Sequence, residues 1–302
     1  MKRLLIISLF MSSLASAQHV PIISQYMFND IALNPANTGN QDALSLFGNF
    51  RAQWIGIPGA PTTYSFSAHS PLKNVSSSIG IQMFADKIGV DQNTGIFGSY
   101  AYRIRMEKSA LSFGLAGGVM LVKSSNSQLA VNDAGDDLLT DSPLGVIPDV
   151  SFGVSYNAEK YFVSFSIPMF LGHVYDGNKI RIDHDFKNYN FMLGGGVAFD
   201  VGKSQKIKPS LLLKYKPGAR IQADINTMVE IHKVFEAGLS YRTEESIIAL
   251  LKFNPTQQFS VMYSFGMPLT PISYRQYGSH EIGLRFNFLY KTQIANARYL
   301  AW

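Results

Sequence analysis

The sequence predicts an all-β fold, a transmembrane outer-membrane β-barrel of about 14 antiparallel strands with a short N-terminal cap or plug segment. Three observations carry this prediction. Apolar and polar residues alternate along most of the chain from Ala43 onward, which is typical of strands with two different faces. Charged residues make up only 16% of the chain, against roughly 25% in soluble domains, while hydrophobic residues make up 46%. A secretory signal precedes the alternating region.

The first element is this signal peptide, expected over residues 1–17. Lys2 and Arg3 form a positive n-region, an apolar stretch runs to Leu14, and Ala15-Ser16-Ala17 is a small-residue cleavage site. No later apolar run approaches the roughly 20 residues of a transmembrane helix. We therefore expect a chain that leaves the cytoplasm and has no helical way of staying in a membrane.

Residues 18–42 form the second element, a periplasmic or plug segment before the first strand. Tyr26, Met27 and Ile31 are too apolar to float freely, and Asn34-Pro35 is a turn or helix-stop signal. A short helix or extended piece folded into the barrel mouth is the favoured interpretation. A frayed terminus is the alternative.

The barrel itself is expected over residues 43–291, followed by a C-terminal tail over 292–302. Between residues 109 and 121, for example, Leu111, Phe113 and Leu115 point to one side and Ser112 and Gly114 to the other. Strands of this kind are predicted near residues 43–53, 61–69, 76–86, 92–106, 109–124, 148–157, 160–168, 189–201, 206–216, 220–230, 233–242, 246–253, 257–266 and 278–290.

The composition of the two strand faces favours a membrane barrel over a soluble β-sandwich, the alternative that also alternates. The polar face is mostly Ser, Gly, Asn and Ala, which suits a crowded lumen. Its sparse charges are Arg51, Asp86, Arg103, Arg105, Asp224, Glu236 and Arg242. The apolar face carries aromatic residues near strand ends, as in the interfacial girdles of barrels; these are Tyr100, Tyr102, Tyr156, Tyr161, Tyr215 and Tyr241.

Connection lengths predict the orientation in the membrane. Short connections near residues 107–108, 157–160 and 231–233 alternate with longer ones near 125–147, 169–187 and 267–277. Outer-membrane barrels keep short turns in the periplasm and long loops outside. Both termini are therefore expected on the periplasmic side of the cell outer membrane.

Motifs for catalysis or cofactors are weak, so no enzyme, cofactor or metal is predicted. The chain has no cysteine, no H-x-x-x-H pair and no G-x-S-x-G turn. Two groups of hard ligands are weak candidates for a cation site. The first, better explained as a solvated surface loop, is Asn132, Asp133, Asp136, Asp137 and Asp141. The second is Asp183-His184-Asp185, which could hold a metal only transiently because its two carboxylates alternate in direction on an extended chain. The formal charge of +5 comes without a dense basic run, which argues against nucleic acid as a partner.

Three groups of residues together resemble the PorP/SprF family. They are Ser24-Gln25-Tyr26-Met27-Phe28-Asn29 with Asn34-Pro35-Ala36 and Gly39, then Arg51-x-Gln53-Trp54 with Gly59-Ala60-Pro61-Thr62, and finally Gly278-Ser279-His280-Glu281-Ile282. The resemblance covers essentially the whole mature chain, and it is the N-terminal combination that makes it specific.

The resemblance implies a non-enzymatic outer-membrane component of the type IX secretion system of Bacteroidota, which exports adhesins, gliding proteins and enzymes. It also implies partners: secreted cargo proteins with a C-terminal domain, a periplasmic ring and a peptidoglycan-binding lipoprotein, besides the lipid of the outer membrane. Residues expected to shape the N-terminal cap or its seat, or to be purely structural, are Gln25, Tyr26, Phe28, Asn34, Pro35, Arg51 and Trp54. A porin or small-solute transporter is the alternative, and a barrel enzyme is a weaker one.

Overall fold

The computed structural model describes residues 23–289, apart from residues 42, 74–75, 129–140, 142–143, 177–178 and 184, and apart from the side chains of residues 172–183. The predicted signal peptide, the tail, His184 and most of the acidic loop lie outside the described residues. Within them, no helix is long and apolar enough to cross a membrane.

Strands make up most of the described chain, and its helices are single 3-10 turns. The strands are β1 Ala43–Ala52, β2 Thr62–Pro71, β3 Ser77–Ile88, β4 Asp91–Arg105, β5 Ser109–Ser124, β6 Gly145–Ala158, β7 Tyr161–Ile167, β8 Gly172–Asp176, β9 Lys179–Asp183, β10 Phe191–Val197, β11 Phe199–Val201, β12 Gln205–Tyr215, β13 Gln222–Ile231, β14 Phe235–Arg242, β15 Ser246–Phe253, β16 Phe259–Pro268 and β17 Ser279–Leu289. The 3-10 turns are Gln25–Met27, Asp30–Ala32, Pro35–Asn37, Asn126–Gln128, Phe186–Asn188 and Pro271–Arg275.

The strands close into an antiparallel barrel. Each barrel strand pairs with its neighbours in sequence, and β1 pairs with β17, so that Ala43 faces Leu289. On the other side of the ring, β10 pairs with both β7 and β12. Because β10 and β11 are one strand interrupted at Ala198, the barrel has 14 strands, which confirms the predicted fold class.

The two faces of the barrel strands differ as the alternation predicted. Leu115 and Leu239 are each 61% exposed on the outer face, where lipid would cover them. Inward-facing Ser112 is 1% exposed, and Asp224 and Arg242 are fully buried. Small and charged side chains therefore fill the lumen, while large apolar ones coat the outside.

The connections follow the predicted alternation of length, with one addition. At one end of the barrel the turns are short, as between β6 and β7 and between β13 and β14, whereas β5–β6 and β7–β10 are joined by long connections at the other end. The β7–β10 connection, expected as a loop, contains the separate hairpin β8–β9. Its two strands of five residues are shorter than the roughly 9–11 residues that cross a membrane, so they lack the length that distinguishes a spanning strand in the sequence.

Candidate functional site

Residues 23–41, here called the lumen segment, lie inside the barrel. Ser67 of β2 donates a hydrogen bond to Asn29 over 2.8 Å, and Thr38 donates to Ser99 of β4 over 3.0 Å. On the opposite wall, Asn226 of β13 donates to the hydroxyl of Tyr26 over 2.9 Å. A segment that contacts strands on all sides of the ring occupies its interior.

The fold of the lumen segment follows from its polar punctuation. Asn34 is extended, the conformation that a following proline favours, and its side chain accepts a hydrogen bond from the backbone N–H of Ala36 over 2.8 Å. Pro35 then occupies the first position of the last 3-10 turn, where its missing N–H costs nothing. The predicted turn at Asn34-Pro35 is thus the start of a short helical turn within the lumen.

Glu281 of β17 holds the N-terminal end of the lumen segment. Its carboxylate accepts hydrogen bonds from the backbone N–H of Ser24 over 2.9 Å and of Gln25 over 3.1 Å. The same carboxylate accepts from Asn49 over 2.9 Å and pairs with Arg51 over 3.1 Å. We call these five residues the Glu281 cluster; because the carboxylate is only 2% exposed, its charge is offset by these donors and not by water.

The middle of the lumen segment packs on an apolar and charged wall formed by β12–β16. Phe28 lies in a buried cluster with Met228 and Leu250, and the ammonium of Lys252 sits 5.6 Å from its ring centroid. Tyr26 lies over the ion pair of Asp224 and Arg242, whose two hydrogen bonds measure 2.9 and 3.0 Å. Burial, helped by the charge of Asp224, raises the pKa of the Tyr26 phenol well above its ordinary value.

The C-terminal half of the lumen segment rests on β5, β6 and β7. The side-chain amide of Asn34 donates to the hydroxyl of Ser164 over 2.7 Å and to the carbonyl of Val154 over 3.0 Å. Gly114 and Gly153 provide the room: a Cβ on either would overlap the backbone at Ala36 or the side chain of Asn34. The wall and the segment therefore fit each other at these two glycines.

Replacing Gly114 with alanine is expected to displace the lumen segment, because the new methyl group collides with the backbone around Ala36. Hydrogen–deuterium exchange of the amides of residues 29–40 should rise by about tenfold or more, as an overpacking cost of roughly 1–3 kcal/mol implies. Gly117→Ala on the same strand is the matched control, since a Cβ there meets only one atom, 4.0 Å away. Equal exchange in the two variants would contradict this fit.

Asp30 is expected to make the docking of the lumen segment depend on pH. It is 5% exposed and accepts a hydrogen bond from Asn40. Burial raises the pKa of its carboxyl from 3.8 to about 6, against the opposing charge of Arg285. Because the pKa is higher in the docked state, docking is most stable below pH 4, where the carboxyl of Asp30 is protonated in both states. This stability is lost as the pH rises through 6 and the buried carboxyl has to ionise.

We therefore expect the lumen segment to become less protected between pH 4 and pH 7, by a free energy of roughly 3 kcal/mol at most. Asp30→Asn keeps an acceptor for Asn40 without the charge, so it should flatten this pH profile and increase protection at pH 7. Amide exchange rates measured from pH 4 to pH 7, and corrected for the intrinsic pH dependence of amide exchange, test this. An unchanged profile in Asp30→Asn would show that another group titrates.

The structure brings most of the predicted contact residues together. Gln25, Tyr26, Phe28, Asn34 and Pro35 belong to the lumen segment and are buried against the barrel wall, and Phe28 and Pro35 each also border a cavity. Arg51 belongs to the Glu281 cluster. Trp54 lies apart, half-buried in the β1–β2 connection, where its backbone N–H donates to Ser279 over 3.2 Å.

The most important residue that the motif-based reasoning left out of the site is Glu281. It stands directly opposite Arg51 in the β1–β17 register. In the sequence, Glu281 could have been noticed as a carboxylate on the polar face of a strand whose other face is apolar. Which cation it pairs with becomes visible only when the first and last strands are paired. Among the described residues, no group of three or more His, Cys, Asp or Glu is placed to hold a metal ion.

The lumen segment borders cavities toward both ends of the barrel. A cavity of about 640 Å³ lies at the end with short turns, and one of about 90 Å³ lies at the end with long connections. The first is bordered by Met27 and Phe28, and the second by Asn29, Ile31 and Pro35. This arrangement can restrict passage through the barrel and can present the segment to a partner.

Comparison with solved structures supports the fold. The chain is similar to the toluene transporter TbuX of Ralstonia pickettii, with 10% identity, a TM-score of 0.52, and coverage of 88% of this chain and 94% of that one. It is also similar to the monoaromatic hydrocarbon channel CymD, with 12% identity, a TM-score of 0.54, and coverage of 90% and 94%. At these identities the likeness concerns the barrel fold alone.

Comparison with curated proteins gives no match. A family model described as type IX secretion system membrane protein PorP/SprF matches residues 15–286. The match therefore includes the lumen segment, every barrel strand except the end of β17, and the Glu281 cluster.

Proposed function

Because the chain belongs to the PorP/SprF family of type IX secretion system membrane proteins, we propose that it assists the export or surface anchoring of proteins carrying a C-terminal secretion domain, such as adhesins or gliding proteins. It is an outer-membrane β-barrel of a secretion system. The observation that carries the finer proposal is the lumen segment, which combines the family-like residues of the N-terminus with a seat built from the barrel wall.

A docking role without catalysis suits this geometry. Several buried polar groups around the lumen segment are engaged in structural contacts, as in the Glu281 cluster and the Asp224–Arg242 pair. These contacts position a segment of the chain inside the barrel, which is what a docking role requires. The partners proposed are the secreted cargo and, on the periplasmic side, a ring and a peptidoglycan-binding lipoprotein of the same system.

For the orientation, we propose that the short turns face the periplasm, together with the start of β1, the end of β17 and both termini. The N-terminal side carries one constraint: Ser24 contacts Arg51 and Glu281 in the half of the lumen nearer the long connections. A periplasmic N-terminus therefore requires the chain before Ser24 to run back along the lumen. Labelling of a cysteine introduced at Gln18 with a membrane-impermeant thiol reagent on whole cells tests this, since surface labelling would place the N-terminus outside.

The proposed function is tested by deleting the gene and comparing surface and secreted proteins by quantitative mass spectrometry. Loss of one or a few cargo proteins would support a dedicated accessory, and loss of nearly all type IX cargo would support a core component. An unchanged secretome would remove the secretion role and leave the porin alternative.

Replacing both Arg51 and Trp54 with alanine tests whether the seat matters for function. We expect reduced cargo export with a folded barrel, because Arg51 is the cation of the Glu281 cluster and Trp54 lies in the adjoining connection. Heat-modifiable migration in gels checks folding. Normal folding together with normal cargo export in the double variant would contradict a functional role for this pair.

A further inference from the structure

The larger cavity has the size and placement of a binding site. Its volume of about 640 Å³ lies within the range of roughly 300–1,000 Å³ typical of ligand pockets. It lies at the end of the barrel where the β13–β14 and β15–β16 turns are, and its lining includes Lys233 and Thr256 from those turns. Phe28 and Met228 provide an apolar part of the lining.

The charges that line this cavity do not balance. Lys208 pairs with Glu230 over 2.6 Å and with Glu236 over 3.1 Å, and Lys252 pairs with Glu236 over 2.7 Å. These two lysines are therefore offset by two glutamates. Lys233 and Arg285 also line the cavity, and neither forms an ion pair with any described residue. The surplus is positive.

Arg285 is a buried cation that has no ion-pair partner among the described residues. Its side chain is 9% exposed, and its guanidinium carbon lies 5.5 Å from the ring centroid of Phe47. Its Nε atom is buried and has no hydrogen-bond partner among the described residues. Asp30 and Glu236 act on Arg285 only through their charge, without a direct bond. An anion brought into the cavity would give this buried guanidinium a direct partner in addition to the longer-range charges of Asp30 and Glu236, which favours binding because burying a charge without a direct partner is costly.

We propose that this cavity binds a carboxylate-bearing peptide segment of another protein, with the carboxylate on Arg285 and neighbouring apolar side chains against Phe28 and Met228. The planar guanidinium presents a fork of donors that matches a carboxylate. A small inorganic anion would satisfy Arg285 but would leave the apolar lining unused, which favours a peptide. Lys233, exposed at the rim, adds attraction for acidic residues. Binding is a property of the purified barrel and stands independently of the secretion role.

The test uses the purified full chain in detergent micelles and a fluorescent tetrapeptide of alternating phenylalanine and glutamate with an amidated C-terminus, so that its carboxylates are those of the glutamates. We expect saturable binding by fluorescence anisotropy, weakened about tenfold in Arg285→Gln, as loss of a charge-assisted hydrogen bond implies. Arg220→Gln, which removes an 83% exposed cation of the β12–β13 connection, is the matched control and should bind like the wild type. The same peptide with lysine in place of glutamate should not bind.

Three results would overturn the proposal: no saturable binding to the wild type, equal affinity in folded Arg285→Gln, or equal binding of the lysine peptide. Inorganic phosphate added as a competitor distinguishes the sources of the anion. If phosphate displaces the peptide at concentrations near the dissociation constant of phosphate itself, the cavity is a small-anion site, and this result would also overturn the proposal. If Arg285→Gln does not fold, Lys233→Glu at the exposed rim decides, with an expected loss of about fivefold or more.

Discussion

Replacing Glu281 with alanine is expected to release the lumen segment and to weaken its docking by about 3–5 kcal/mol. The carboxylate accepts hydrogen bonds from Ser24, Gln25 and Asn49 and pairs with Arg51. Its removal therefore leaves the two backbone N–H groups without this acceptor and the buried Arg51 without its counter-charge. Hydrogen exchange of the amides of residues 24–28 should accelerate by at least about a hundredfold. The barrel itself, held by its strand ladders, should keep its heat-modifiable migration.

Two further variants make this expectation specific. Glu281→Gln keeps the shape and an acceptor oxygen but removes the charge, so we expect an intermediate acceleration. Glu244→Gln removes the carboxylate of an exposed pair, with Arg220 83% and Glu244 71% exposed, and should leave exchange in the lumen segment unchanged. Slow exchange of residues 24–28 in Glu281→Ala would show that the apolar contacts of Tyr26 and Phe28 suffice for docking.

Deleting residues 23–41 is expected to turn a barrel of low conductance into an open one. A barrel of 14 strands encloses enough space for a water path unless something fills it, and the lumen segment contacts strands on all sides of the interior. In planar bilayers we expect the single-channel conductance of the deletion variant to exceed that of the full chain by about tenfold or more.

The controls for the deletion address folding and leakage. Gly114→Ala displaces the lumen segment but keeps all of its residues inside the barrel, so it should raise conductance less than the deletion does. Heat-modifiable migration identifies preparations that contain folded barrel. A full-length chain that already conducts like the deletion variant would favour the porin alternative over a docking barrel.

Local patterns predict the fold well, because a strand in a membrane barrel is read from residues that are adjacent in sequence. The alternation around Leu115 and Ser112 places one outside and the other inside without knowledge of any partner strand. The same local logic locates the turn at Asn34-Pro35. It fails where elements are short, as in the β8–β9 hairpin.

The candidate site is less predictable, because its contacts join residues far apart in the chain. Asp224 and Arg242 are each recognisable as lumen charges, but their ion pair depends on the β13–β14 register that sets them opposite each other. The Glu281 cluster needs the pairing of the first and last strands. The room at Gly114 and Gly153 is visible only when the wall and the lumen segment are seen together.

The seat of the lumen segment also constrains the order in which the chain folds. Ser24 and Glu281 are separated by 257 positions in the sequence, so the part of the chain exported early binds a residue exported near the end. Contacts of such high separation form late, because closing so long a loop carries a large entropic cost. The N-terminal residues therefore stay undocked, and have to be protected from proteolysis and misplacement, until the last strand has been exported. Docking of the lumen segment on Glu281 therefore indicates that the barrel has closed.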